Sequence, residues 1–415
     1  MKNFTLKILL LLLFFYLTKA ETKQIQEQIP CTFFPPDNIW NSPIDELPMD
    51  ANSNAYIQTI GTTKGLHPDF GSGEWNSAPI GIPYVLVPGN QPKVTLSFQW
   101  PDECDPGPYP IPPNPPIEGG VNSTGDRHIL IVDTGNCILY EIYSAYPNGD
   151  GTWRAGSGAV FDLNSNNLRP DTWTSADAAG LPILPGLVRF DEVATGEINH
   201  AIRFTCPQTR RDYVWPARHY ASSLTDMKYP PMGQRFRLKS SVDISGYPAD
   251  VRVILRAMKK YGIILADNGS AWFISGVPDE RWNNDSLNEI KKINGSDFEA
   301  VDCSSLMIDA NSGQAKQSTG YVESSENSNT IQCYPNPFNS ELTINIKNLR
   351  GTIKKIEIVN FLGETVRTFN NMANGNSTVL WDGRDDNNVL LNPGTYFINI
   401  SDCSNDIHLK VLFCY

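Results

Sequence analysis

The stretch from Asp309 to Gln332, "DANSGQAKQSTGYVESSENSNTIQ", has almost no apolar side chains and many Ser, Asn and Gln. A hydrophobic core cannot run through it, because ordering each residue costs about 1–2 kcal/mol and little is buried to offset that. The chain is therefore expected to fold as two bodies joined by a flexible connector. Its 415 residues allow this, being too many for one ordinary core. The layout read from the sequence is a leader over 1–20, a main domain over 31–308, a linker over 309–332 and a small domain over 333–415.

The leader reads "MKNFTLKILLLLLFFYLTKA". Lys2 and Lys7 give a positive start, Ile8 to Leu17 an apolar run, and Thr18-Lys19-Ala20 a small-residue cleavage site. Spanning a bilayer takes about twenty apolar residues, so this shorter run reads as a secretory signal peptide. No later segment is apolar enough to span a membrane. The net charge of -12 repels phosphate backbones, and no basic cluster offsets it, so nucleic acid is excluded as a partner.

Eight cysteines follow the leader: Cys31, Cys104, Cys137, Cys206, Cys303, Cys333, Cys403 and Cys414. In an exported chain some of them should pair. Connectivity stays open, since eight cysteines allow about 105 full pairings. Five precede Gly313 and three follow it, so each part holds at least one that is free or bridges the two parts. No CxxC or Cys/His spacing suggests zinc, and no metal or cofactor is expected.

The small part reads as strands. "LTINI" (342–346), "KIEIVNF" (355–361), "TYFINI" (395–400) and "IHLKVLF" (407–413) alternate apolar and polar residues. Leu362-Gly363, Asn374-Gly375, Asp382-Gly383 and Pro393-Gly394 supply turns between them. Short strands at this spacing indicate a small β-sandwich. The order "YPNPFNSELTINI", "VNFLGETV", "WDGRDDNNVLLNPGTYFINI" and a closing strand with Lys410-Val411 resembles the type A C-terminal sorting domain of the bacterial type IX secretion system. Pro335 to Phe338 and Trp381-Asp382-Gly383 carry most of the resemblance, which covers about eighty residues. It implies an immunoglobulin-like sandwich, the type IX machinery as partner, a Bacteroidota source, and delivery to the medium or the outer-membrane surface.

The large part is expected to be mainly β, a sandwich or jelly-roll with one packed helix. "IPYVLV" (82–87) and "KVTLSFQW" (93–100) read as a hairpin, and Asn268-Gly269 within "GIILADNGSAWFIS" reads as the turn of another. The helix is "DVRVILRAMKKYG", where Val251, Ile254, Leu255 and Met258 share a face. Asp250 suits its N-terminal end, Lys259 and Lys260 its C-terminal end, and Gly262 closes it. A further turn or two of helix falls at 191–195. The segment from Trp100 to Gly120 is rich in proline and reads as a stiff loop, either a plain surface connection or the wall of a cleft.

Candidate site residues come from three stretches. In "GDRHILIVDTGNCILYEIY" a turn at Gly135-Asn136 sets Asp133 opposite Ile138 and Leu130 opposite Glu141. His128 and Glu141 then become diagonal neighbours on one side, where a carboxylate tunes an imidazole for acid–base work. Ile129, Ile131, Tyr140 and Ile142 occupy the other side, read as the deeper core face. In "EINHAIRFT" His200 falls on the apolar face of a strand, either as a core histidine or as a base on a cleft floor. "DYVWPARHYASS" offers Trp215, Arg218 and His219 as contacts for a sugar, and "RPDTWTSADAAG" adds Trp173 and Asp177. Acids beside tryptophan suit a glycosidase.

No GxSxG elbow, HExxH or phosphate loop occurs. The runs "FDLNSNNLRPDTWTSADAAGLPILPGLVRFDEV", "INHAIRFT", "YVWPARHYAS" and "LRAMKKYGIILADNGS" resemble a family of secreted bacterial and fungal proteins. That resemblance implies no activity and no catalytic residues. The sequence thus supports an exported glycoside hydrolase-like protein acting on polysaccharide, with His128, Glu141, His200 and Asp177 for acid–base work. Trp173, Trp215, Arg218 and His219 would be its substrate contacts. The alternative is a non-catalytic glycan-binding or adhesive surface protein.

Overall fold

The computed structural model describes residues 28–316, 330–334, 338–347, 355–360, 363–370, 377–401 and 406–413. The leader, residues 317–329 of the expected linker, Cys403 and Cys414 lie outside them. The chain divides near Gln317 into a large and a small unit.

The large unit is mainly β. One sheet has the order Ser157–Asp162, Ile138–Tyr143, Ile129–Asp133 and Tyr84–Val87. The second, six-stranded sheet runs His67–Asp69, Phe273–Ser275, Ile202–Cys206, Ile263–Asn268, Arg235–Leu238 and Phe298–Val301. One apolar cluster takes Tyr84, Leu130, Val132 and Leu139 from the first sheet and Ile202, Phe204, Ile263 and Leu265 from the second. Burying one such side chain contributes about 1.5–3 kcal/mol, so this shared core is the main force holding the unit together.

The central hairpin has the register expected from Gly135-Asn136: Asp133 faces Ile138 and Leu130 faces Glu141. Asp133 Oδ1 accepts from the N–H groups of Gly135 and Asn136 and fixes the turn. The faces differ in depth from expectation. Ile129, Ile131, Tyr140 and Ile142 pack into a smaller separate cluster, while the side bearing Leu130, Val132 and Leu139 joins the main core. Both sides are covered, so alternation alone cannot rank them.

Two expected hairpins are absent. Tyr84–Val87 pairs in parallel with Ile129–Asp133, and Leu96–Phe98 pairs in parallel with Trp153–Ala155. Ile263–Asn268 and Phe273–Ser275 both pair with Ile202–Cys206, which lies between them. The connection between the two strands carries Trp272, fully buried at φ +59° with its ring stacked on Phe204 and Phe298.

The expected helix spans Ala249–Lys260 and buries Val251, Ile254, Leu255 and Met258. Gly262 follows at φ +71°, a conformation open to glycine at little cost. Ser53–Ile60, Phe190–Thr195 and Asn284–Asn288 are also helical, so the single packed helix of the sequence reading has companions. Cys31 and Cys137 form a disulfide, whereas Cys104, Cys206 and Cys303 are buried free thiols. Burial pushes the Cys206 thiol up to about 12 and the Cys303 thiol up to about 11, which keeps both unreactive.

Residues 309–316 belong to the large unit, although their composition reads as linker. Gly313 N–H donates to the Asn166 carbonyl, Ala315 N–H to that of Asp37, and Lys316 N–H to that of Leu306. Polar side chains here bond the body instead of water, which composition cannot distinguish.

The small unit has a three-stranded sheet (Thr330–Tyr334, Leu342–Lys347, Ser377–Trp381) and a four-stranded one (Thr365–Asn370, Lys355–Val359, Gly394–Ser401, Asp406–Phe413). Its first strand begins inside the expected linker. Phe338, Trp381 and Phe413 stack in its core, with ring centroids 4.9–6.4 Å apart.

Candidate functional site

A cleft of about 690 Å³ opens on the large unit between the strand His67–Asp69, the loop at Glu118 and the helix Asn284–Asn288. His67, Asp69, Trp75, Glu118, Asn284 and Lys291 are among its lining residues. Trp75 is 73 % exposed and stands on a two-residue hairpin whose turn residues, Asn76 and Ser77, have φ +52° and +65°. Two successive positive φ values match the sharp turn that suits paired strands.

Glu118 lies near the end of the proline-rich segment, where Glu118 and Gly119 wall this cleft. Gly119 and Gly120 turn the chain sharply at φ +70° and +82°. The buried Arg127 then clamps the loop, donating to the carbonyls of Val121 (2.8 Å), Ser123 (3.0 Å) and Ala145 (3.0 Å). Main-chain pairing continues the restraint, with Glu118 N–H donating to the His128 carbonyl at 3.0 Å.

The Glu118 carboxylate lies 2.5 Å from His128 Nδ1, and His128 Nε2 lies 2.9 Å from the Ala176 carbonyl oxygen. Both partners accept, so both ring nitrogens carry protons and the ring is an imidazolium. Burial opposes its charge, but Glu118, through charge and hydrogen bond, and then Asp126 hold its pKa up at about 9. Burial likewise opposes ionisation of Glu118, yet His128 and Arg203 keep that carboxyl below the usual range.

Asp69 sits opposite Ser275 across a parallel pair of strands. Asp69 reaches solvent at the cleft, yet its pKa is raised, first by partial burial and then by the charge of Glu118, with Arg203 partly offsetting both. Two carboxyl groups of one cleft are thus pushed in opposite directions, Asp69 towards the acid and Glu118 towards the carboxylate. Glu118, Asp126 and His128 also place ligand atoms within 4.8 Å of one another. A cation there would need the His128 ring to lose a proton, against the two hydrogen bonds that hold it charged.

Behind the cleft lies a buried charge network. Arg203 forms a fork with Asp177 (Nε to Oδ2 2.6 Å, Nη2 to Oδ1 2.8 Å) and donates to Ser275 Oγ at 2.6 Å. Asp267 comes within 3.8 Å of Arg203, and its pKa is raised to about 7 by burial and then by the charge of Asp177. Asp177 is therefore the counter-ion of a buried arginine, with both carboxylate oxygens used, and does not line the cleft.

The other expected site residues fall elsewhere. Glu141 is fully buried and accepts from the N–H groups of Ile183 (2.9 and 3.0 Å) and Leu184 (2.9 Å). Its charge is felt by His128, but its hydrogen bonds go to the backbone, and burial raises its pKa to about 7. His200 is buried, with Nδ1 2.8 Å from the Ala201 carbonyl and Nε2 3.2 Å from Glu192 Oε2. Trp215 Nε1 donates to the Ser312 carbonyl at 2.8 Å, and Arg218 donates to the Ala310 carbonyl at 2.7 Å and Asn311 Oδ1 at 2.8 Å. These two side chains fasten residues 310–312 to the body. Trp173 packs under the Arg169 guanidinium, and His219 stacks on Tyr220 with Nδ1 2.9 Å from the Ala178 carbonyl.

Asp69, Trp75 and Glu118 escaped the sequence reading. The signals present were an acid and a tryptophan around the glycines of "PDFGSGEW" and an acid before the Gly-Gly of "PIEGG".

The small unit carries the recognisable relationship. A family model described as the secretion system C-terminal sorting domain matches residues 332–413. That span is a sorting domain. It marks the chain for export through the type IX system, to the cell surface or the medium. No helix among the described residues is long and apolar enough to cross a membrane.

Among solved structures, the chain is similar to PorZ, an essential surface component of the type IX secretion system of Porphyromonas gingivalis. Identity is 13 % over 29 % of this chain and 14 % of that one, with a TM-score of 0.18. It is also similar to dimeric latent PorU from the same organism, at 17 % identity over 22 % of this chain and 10 % of that one, with a TM-score of 0.18. The chain thus spans a small part of either protein. A search of curated proteins finds no match.

Proposed function

We propose that the large unit hydrolyses polysaccharide outside the cell, using Asp69 as proton donor and Glu118 as the ionised partner. The observation that carries this reading is the opposed tuning of two carboxyl groups that line one cleft. Glycoside hydrolysis needs such a pair: one group gives a proton to the leaving oxygen, and the other serves as base or nucleophile. His128 acts through Glu118, holding it charged and oriented, and is a positioning residue. The exposed Trp75 at the cleft offers an apolar face on which a sugar ring stacks. That same tryptophan is what favours the second reading, a glycan-binding surface protein without turnover.

The test is to incubate the purified full chain with plant, algal and bacterial polysaccharides and measure new reducing ends. Asp69→Asn and Glu118→Gln should each lower turnover at least about 100-fold while substrate binding persists. Binding without product across the panel would assign the cleft to adhesion.

A further inference from the structure

We infer that the polysaccharide taken by this cleft is acidic, and that Lys64 and Lys291 bind the anionic groups along its chain. The inference rests on the glycan reading of the cleft and adds its substrate class. A second depression of about 730 Å³ adjoins the cleft, lined by Lys64, Leu66, Pro207 and Ser270. The two share His67, Phe273 and Lys291, so they adjoin as a groove with these residues between its two parts. Their common ridge is a flat one, the rings of His67 and Phe273 stacking at 4.0 Å and 16°. Burial and then the charge of Lys291 lower the His67 pKa, which leaves a neutral imidazole to bond sugar hydroxyls.

Charge is unevenly placed along this groove. Asp69 and Glu118 line the first cavity alone, Lys64 lines the second alone, and Lys291 stands between them on both. Both lysines are exposed. Among the described residues, the Lys64 side chain has no hydrogen bond or ion pair, and Lys291 Nζ donates to the neutral Asn288 Oδ1 at 2.7 Å. Lys228, Lys292 and Lys355, by contrast, each have a carboxylate partner. Two uncompensated ammonium groups on a chain of net charge -12 attract an anion locally, where the overall charge would repel it. A sugar chain with carboxylate or sulfate substituents supplies regularly spaced anions together with ring faces for the ridge and Trp75.

The test is binding of the full chain to alginate and polygalacturonate (carboxylates), carrageenan (sulfates) and laminarin (neutral) at low and high salt. At least one acidic chain should bind tenfold or more tightly than laminarin, and that preference should fall with salt. Lys64→Glu/Lys291→Glu should remove the preference, and Lys64→Gln/Lys291→Gln should weaken it, with thermal midpoints unchanged because both side chains are exposed. Equal affinity for neutral and acidic chains, no binding at all, or full preference in the double variants would overturn the inference. Preferential acidic binding without product would leave it standing and sink the hydrolytic reading instead. Relative retention of alginate and carrageenan tells which anion the groove accepts.

Discussion

The 2.5 Å contact between Glu118 Oε2 and His128 Nδ1 makes this histidine a fixed cation and not a free base. Its folded-state pKa of about 9 exceeds the ordinary 6.5, so the stability it contributes is complete below pH 6.5 and is lost as pH rises through 9. Thermal midpoints should therefore fall across that window. His128→Gln should flatten the fall and cost about 2–3 kcal/mol at pH 6, at the lower end for an ion pair because Glu118 reaches solvent. A variant with the same slope as the parent would show that His128 is uncharged. Turnover would also respond, since Glu118 without its cation ionises at higher pH and the acid limb of the rate profile should move up.

Glu141 behaves in the opposite sense. Burial raises its pKa from 4.5 to about 7, so the folded state binds an extra proton between those values and loses stability as pH rises through them. Glu141→Gln keeps an acceptor for the Ile183 and Leu184 N–H groups and carries no charge. It should match the parent at pH 4.5, exceed it in midpoint at pH 8, and retain activity. Loss of turnover with folding intact would restore Glu141 to the chemistry.

Removing Asp177 strands the Arg203 guanidinium inside the protein. Asp177→Ala should cost about 3–5 kcal/mol, measured by urea unfolding of the large unit. The protein that remains folded should stay active, because Asp177 does not line the cleft, with its rate profile moved to lower pH as the unpaired Arg203 favours the Asp69 and Glu118 carboxylates more strongly.

The disulfide between Cys31 and Cys137 closes a separation of 106 residues. Replacing both with Ser should destabilise the large unit by about 3–5 kcal/mol, since a loop of this length restricts the unfolded chain strongly. Calorimetry with and without reductant checks this: the parent should lose the same amount on reduction, and the double variant should be indifferent.

Trp75→Ala should raise the Michaelis constant roughly tenfold with little change in maximal rate, as expected for a stacking platform that takes no part in the proton transfer. Its exposed position predicts an unchanged thermal midpoint. A fall in maximal rate alone would place Trp75 in the chemistry instead.

Local chemistry made the hairpin legible. Gly135-Asn136 and the Asp133 side chain fix the turn, and the register follows two residues at a time. The small unit was legible for the same reason, its four expected strands matching four of those observed. The cleft was hidden because Asp69 and Glu118 meet only through the packing of a sheet-edge strand against a distant loop. Trp215 and Arg218 were visible as an aromatic–guanidinium pair, but their partners at 310–312 lie more than 90 residues onward. A sequence can suggest that such side chains bind something; that they fasten the last segment of the large unit requires the fold.

The fastening of residues 309–316 also sets an order of events in the life of the chain. The large unit cannot complete its hydrogen bonding until Lys316 has been made, because Leu306, Asn166 and Asp37 accept from main-chain groups in this last segment. Shortening the unit to residue 308 would leave the Trp215 indole N–H without its acceptor and Arg218 with only the Asp171 carboxylate, 3.5 Å away. The native surface is therefore sealed from its C-terminal side, by the stretch synthesised just before the sorting signal.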